Sequence, residues 1–146
     1  MPTREKTVAD IMTRYVVTVY EEDDLNQVRR KLSDSSYHHL PVVDGTRVIG
    51  MLSQRDMLRA TVSGIDDGAF AQAREARYLE QTFVRDIMQT QVRTALPTDS
   101  LQTAAKHLLA NRIGALPVTD EQGNLVGIVT ENDLVRQVAE GLTRAG

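Results

Sequence analysis

The 146-residue sequence contains no cysteine and no tryptophan, and only 4% of its residues are aromatic. Without cysteine there is no disulfide framework, thiolate zinc site, iron–sulfur cluster or cysteine nucleophile. With so few rings, the core has to be assembled from Val, Leu, Ile, Met and Ala through many small contacts. No stretch approaches the roughly 18 apolar residues of a membrane span, and the residues from Met1 to Asp10 lack the apolar core of a signal peptide. A cytoplasmic location and no membrane partner are therefore expected. Basic residues are outnumbered, 17 against 20, for a net charge of −3. That sign opposes binding to phosphate backbones, so nucleic acid is not an expected partner.

What is present is the composition of a globular chain, 41% apolar and 25% charged. Its most informative feature is an internal duplication. Val8 to Thr13 (VADIMT) aligns with Val84 to Gln89 (VRDIMQ), and the offset holds as far as Asp44 over Asp120. One extra residue then enters the second copy. Beyond it Gly50 to Asp56 (GMLSQRD) lies over Gly127 to Asp133 (GIVTEND), with Leu40, Pro41 and Val42 over Leu116, Pro117 and Val118 in the middle. Sixteen of 52 aligned positions are identical, and they fall in short blocks with a single turn-sized gap, which chance similarity would not produce.

Both copies predict the same order of elements. Val16 to Val19 and Arg93 to Leu96 read as short strands, each followed by a turn. A helix comes next. In the first copy Leu25, Val28 and Leu32 share a face behind Asp24 to Gln27, a capping-box pattern; in the second Leu101, Ala104, Ala105, Leu108 and Leu109 form a wider stripe behind Ser100. Proline then opens a short strand, and a loop of three or four residues leads to the apolar strands Val48 to Leu52 and Leu125 to Val129. A last helix begins near Arg55 and Glu131. The predicted class is α/β (α+β), with two β-α-β-β-α repeats, each preceded by a short Val-x-Asp-Ile-Met helix. A unit of about 50 residues buries too little surface to stand comfortably alone. The repeats are expected to pack sheet to sheet as a pseudo-twofold intramolecular pair, spanning 8–62 and 83–140 with a helical linker over 63–82. In that linker Val62 to Gly68 reads as loop and Ala69 to Gln81 as helix, and Phe70, Arg74, Arg77 and Tyr78 are candidates for a dimer or effector surface.

The blocks Asp-Ile-Met, Leu-Pro-Val and Gly-hydrophobic-hydrophobic-Ser/Thr-x-x-Asp, each present twice in this order, resemble the tandem CBS domain pair, or Bateman module, over nearly the whole chain. The resemblance implies a sensor that binds an adenosine-containing ligand (AMP, ADP, ATP, NAD or S-adenosylmethionine) in clefts between the repeats. It implies a homodimer, no required cofactor and no enzymatic activity of its own. With 146 residues nearly filled by the pair, the effector is expected to be a separate, unidentified protein.

Ser53 to Asp56 and Thr130 to Asp133 each stand where a strand meets a helix. As local structure both are capping boxes, each worth about 1 kcal/mol at a helix start. A carboxylate also offers acceptors for vicinal ribose hydroxyls, while a neighbouring hydroxyl and helix N-terminal amides suit a phosphate. By resemblance Asp56 and Asp133 would hold ribose, with Ser53 and Thr130 beside them. The Asp133 site would draw on Thr13, Thr18, Tyr37 and His38, and the Asp56 site on Gln89, Thr94, Ile113 and Gly114. Adenine would lie among Val17, Met51, Val92, Ile113 and Ile128. The family's basic position before Leu-Pro-Val is His38 and His39 in the first copy but Gly114 and Ala115 in the second. Unequal sites are thus expected, with Arg14 or Arg136 available to a phosphate.

Other chemistries find little support. His38 and His39 are strand neighbours facing opposite ways, with no ligand-spaced partner, so no metal site is expected. His107 reads as a surface or partly buried helix residue. Gly45 to Gly50 has P-loop glycine spacing without the following Lys-Ser/Thr, and Arg29, Arg30 and Lys31 read as a solvated helix face. The alternative to a sensor is a ligand-independent dimerisation or interaction scaffold with vestigial clefts.

Overall fold

In the computed structural model the described residues are 3–33, 38–64, 71–141 and 143–145, with backbone alone described at 3, 33, 62–64, 71–72 and 143–145. The elements in chain order are β1 (Thr3–Glu5), α1 (Val8–Ile11), α2 (Leu25–Ser33), β2 (His39–Asp44), β3 (Arg47–Ser53), α3 (Gln54–Gly64), α4 (Ala71–Gln81) and α5 (Val84–Ile87). They continue with α6 (Leu101–Asn111), β4 (Ala115–Thr119), β5 (Leu125–Thr130), α7 (Glu131–Glu140) and β6 (Thr143–Ala145). The sheets β2–β3 and β4–β5 are two-stranded, and a third joins β1 to β6 antiparallel. This is the expected α+β tandem repeat.

The chain divides into two compact units, and neither coincides with one sequence copy. Unit 1 comprises 1–16, 46–48 and 93–146; unit 2 comprises 17–45 and 49–92. In unit 1, Val8 and Met12 of the leading segment are buried with Ala95, Ala104, Leu108, Leu116, Val118 and Val129 of the second copy. In unit 2, Val84 is buried with Val19, Leu25, Val28, Leu40, Val42 and Leu52 of the first copy. The duplicated Val-x-Asp-Ile-Met helix therefore completes the core of the opposite copy.

The backbone fixes this exchange. Val8 N–H donates to Asp99 O and Val84 N–H to Asp23 O, both at 2.9 Å. Each short helix is held by its aspartate: Thr7 N–H donates to Asp10 Oδ2 at 2.8 Å and Phe83 N–H to Asp86 Oδ2 at 2.9 Å. Met12 and Met88 then follow in extended conformation, their N–H groups closing the turn on Val8 O and Val84 O.

The strands predicted at 16–19 and 93–96 shrink to single parallel bridges, Val19 to Val42 and Ala95 to Val118. Proline is the cause. Val19 N–H donates to Pro41 O and Val43 N–H to Val19 O, both at 3.0 Å; Ala95 and Thr119 repeat the pattern with Pro117. Lengthening either ladder backwards needs an N–H from residue 41 or 117, which proline lacks. Neither proline opens its strand, each being the third residue of β2 or β4. The loop of three or four residues is corrected in both copies: Gly45 and Thr46 alone join β2 to β3, whereas 120–124 join β4 to β5. The inserted residue lies in the longer loop, and the β4–β5 register shifts between Val118 and Thr119.

The helices bear out most of the periodicity. Asp24 and Gln27 form the reciprocal box expected, each backbone N–H donating to the other's side chain at 2.9 Å. Ser100 Oγ accepts from Thr103 N–H at 3.0 Å at the start of α6. Leu109 does not join the buried stripe and is 79% exposed, because α6 has only the Leu101, Ala104 and Leu108 face against the core. Val62, Ser63 and Gly64 lie in α3 rather than a loop. Met57 and Ala60 anchor that helix to the unit 2 core, and it runs on through its last turn. Phe70 lies outside the described residues. Leu79 of α4 is buried and Tyr78 packs beside it, so this helix contributes core rather than a bare connection. Lys31 is not merely solvated: its ammonium donates to Thr18 O at 2.7 Å, and Arg29 Nη1 lies 3.4 Å from Glu75 Oε1 on α4.

Candidate functional site

The two strand-to-helix junctions build the same local geometry, once in each unit. A helix start leaves backbone N–H groups without intrahelical acceptors. Ser53 Oγ accepts from Asp56 N–H at 3.1 Å, and Asp56 Oδ2 accepts from Ser53 N–H at 2.9 Å. In unit 1, Thr130 Oγ1 accepts from Asp133 N–H at 3.2 Å while Asp133 Oδ2 accepts from Thr130 N–H at 2.9 Å. The capping reading is thus observed in full, and it fixes the orientation of each carboxylate. Oδ2 is committed to the cap, and Oδ1 takes no part in it.

A docked leading segment borders each junction. In unit 2, Gln89 and Met51 exchange both backbone hydrogen bonds at 2.9 Å, and Gln89 Nε2 donates to Asp56 Oδ1 at 3.3 Å. In unit 1, Thr13 and Ile128 exchange the equivalent pair at 2.9 Å. Gln89 thus stands with Asp56, and Thr13 beside the strand that leads to Asp133, each within a single unit. Both docks bring the leading segment close against a glycine of the receiving strand. A β carbon at Gly50 would stand 2.8 Å from Met88 Sδ, and one at Gly127 2.6 Å from Met12 Sδ. Sequence reasoning named these blocks without pairing them; the signal was that Met and Gly recur at matched positions in both copies.

The residues before Leu-Pro-Val meet the same helix starts. Gln54 N–H donates to His38 O at 2.9 Å, and Glu131 N–H to Gly114 O at 3.0 Å. His38 is exposed, with Nδ1 2.8 Å from Gln54 Oε1, a partner the sequence did not suggest. His39 is half-buried on β2. His38 and Thr18 belong to unit 2 with Ser53 and Asp56; Thr94, Ile113 and Gly114 belong to unit 1 with Thr130 and Asp133. Within units, Thr18 and His38 thus accompany Asp56, and Thr94, Ile113 and Gly114 accompany Asp133, because the backbone preceding each helix runs in that helix's own unit. Tyr37 lies outside the described residues. Of the proposed adenine neighbours, Val17, Met51 and Val92 fall in unit 2, and Ile113 and Ile128 in unit 1.

The cations are placed unequally. Arg136 Nη1 lies 3.7 Å from Asp133 Oδ1, with the aspartate side chain only 12% exposed. Arg14 is exposed and donates to Ala9 O at 3.3 Å. His107 is half-buried, its carbonyl accepting from Asn111 Nδ2 at 2.8 Å. Asp120 organises the long loop: its Oδ1 accepts from the N–H groups of Asn124 and Gln122 at 2.9 Å. The Asn124 backbone bond is the main cause holding its carboxyl below the ordinary value, with the Asn124 side chain and the other loop amides adding to it. Among the described residues no group of His, Asp and Glu could hold a metal, and no helix is long and apolar enough to cross a membrane.

The model of the CBS domain matches residues 8–63 and 84–140. The CBS domain-containing protein YhcV of Bacillus subtilis is 33% identical over 129 residues, covering 88% of this chain and 82% of that protein. A Methanocaldococcus jannaschii protein, MJ1225, is 33% identical over 136 residues; 92% of this chain is covered, but the chain spans only 48% of that relative. Among solved structures, CBSX2 from Arabidopsis thaliana in complex with AMP has 26% identity and a TM-score of 0.77, covering 92% of this chain and 97% of that one. With both repeats matched and each leading helix docked on a glycine-bearing strand, the chain belongs to the CBS domain family as a tandem pair.

Proposed function

We propose that this chain is a non-enzymatic regulatory module that binds an adenosine-containing ligand through Asp56 and Asp133. The observation that carries the reading is the duplicated carboxylate: capped through Oδ2, oriented by its own helix, and keeping Oδ1 outside the cap. A preoriented acceptor loses little freedom when it meets the two hydroxyls of a ribose. Ser53 and Thr130 stand beside the helix-terminal amides, where a phosphate is favoured. In unit 2 His38 adds an exposed imidazole beside the helix start, whereas in unit 1 Gly114 adds no side chain. The complex of the similar CBSX2 with AMP supports this ligand class.

Such a ligand acts by differential affinity, favouring those conformations of the chain that a separate effector protein, or a second copy, recognises. A thermal-shift panel of AMP, ADP, ATP, NAD and S-adenosylmethionine tests the reading. Ligand at 100 times its dissociation constant is expected to stabilise by about 2.7 kcal/mol. Asp56→Asn and Asp133→Asn are each expected to remove one class of sites, and the double variant both. Unchanged melting with every compound at millimolar concentration would favour a ligand-independent scaffold.

A further inference from the structure

The two carboxylates differ in what already touches Oδ1. Gln89 Nε2 donates to Asp56 Oδ1 at 3.3 Å. The equivalent residue in unit 1 is Thr13, whose shorter side chain makes no hydrogen bond to Asp133 among the described residues; there Oδ1 has only the Arg136 guanidinium, at 3.7 Å. Both residues are docked by the same two backbone hydrogen bonds. The difference therefore lies in side-chain length and chemistry, not in placement of the segment.

Resting on the proposed adenosine site, we infer that Gln89 is a built-in competitor of the ribose at Asp56, so that the Asp133 site fills first. The carboxamide is an N–H donor standing where a ribose hydroxyl would approach, and it supplies the carboxylate with the hydrogen bond that a ligand would otherwise bring. A ligand entering unit 2 must turn Gln89 away and gains only the difference between two donors to one oxygen. In unit 1 no hydrogen bond to Oδ1 among the described residues has to be exchanged, since Arg136 stands at ion-pair distance, 3.7 Å, and not within hydrogen-bond reach. Gln89 is exposed, so it can swing aside at moderate cost. The competition thus grades the two sites and does not close one.

Isothermal titration with AMP, one carboxylate at a time, tests this. The Asp56→Asn variant isolates the unit 1 site and Asp133→Asn the unit 2 site. The first is expected to bind AMP more tightly. Adding Gln89→Thr to Asp133→Asn should tighten AMP binding about three- to tenfold, the discounted worth of one exposed charge-assisted hydrogen bond. Adding Thr13→Gln to Asp56→Asn should weaken it by a similar factor. Unchanged or weaker binding after Gln89→Thr overturns the competitor role while leaving the adenosine reading intact. If neither the wild type nor any variant binds AMP or the other adenosine compounds, the functional reading falls, and the inference with it.

Discussion

Met12 and Gly127 are in contact so close that a β carbon at 127 would stand 2.6 Å from the Met12 sulfur and 3.0 Å from the Thr13 carbonyl oxygen. Met88 and Gly50 repeat the contact in the other unit, at 2.8 Å from sulfur and 3.0 Å from Gln89 O. The methionine end can yield, but the carbonyl is held by its bridge to the receiving strand. Gly127→Ala is therefore expected to destabilise by about 1–3 kcal/mol, in the range of overpacked sites. Chemical denaturation measures it. A Met12→Ala change in the same chain should recover part of the loss, since it removes the nearest clashing atom.

Leu79 gives the second prediction. It sits 1% exposed in the core of unit 2, on the helix that composition alone reads as a connection. Leu79→Ala should cost about 2–5 kcal/mol if the cavity does not collapse. A cost below about 1 kcal/mol would show that α4 is merely tethered. Urea unfolding, with the slope compared between variants, separates the two.

The repeat, the capping boxes and the strand-to-helix placement of both aspartates were legible because each is written in neighbouring residues. Asp24 and Gln27, or Thr130 and Asp133, need only three positions to specify their hydrogen bonds. The exchange of leading segments was not legible, because Val8 fits either copy's apolar face and no local rule tells which. The proline effect was half legible. Pro41 and Pro117 mark the strand, while their missing N–H groups act on different segments, Val16 to Val19 and Arg93 to Leu96, which the sequence reads as strand. The grouping of His38 with Asp56 likewise follows from one backbone bond, Gln54 N–H to His38 O, that spacing does not announce.

Asp120 supplies a pH dependence. Loop amides, Asn124 first, hold its carboxyl below the ordinary value. A carboxyl depressed in the folded state contributes stability above its unfolded pKa and loses it as pH falls through the folded value. Asp120→Asn should therefore melt below the wild type at neutral pH, and the two melting temperatures should converge as pH falls below about 4. A difference that stayed constant down to pH 2 would show that the charge does not matter to the loop.

The exchanged leading segments make the sharpest prediction, because sequence and structure assign Val8 to different neighbourhoods. By sequence Val8 opens the first copy; by contact it is fully buried among Ala95, Ala104, Leu108, Leu116 and Val129 of the second. Val8→Ala removes two methyl groups from that core, a loss of about 1–3 kcal/mol. Its effect should be local to unit 1 if the units open separately. Hydrogen exchange is then expected to quicken in α6, β4 and β5, and to stay near wild type in α2 and β2 of Val8's own sequence copy. Val84→Ala should give the mirror pattern, with faster exchange in α2 and β2, since Val84 is buried with Val19, Leu25 and Val28. If each substitution instead loosened its own copy, the leading helices would have to be packed at home, and the hydrogen bonds from Val8 to Asp99 and from Val84 to Asp23 would be wrong.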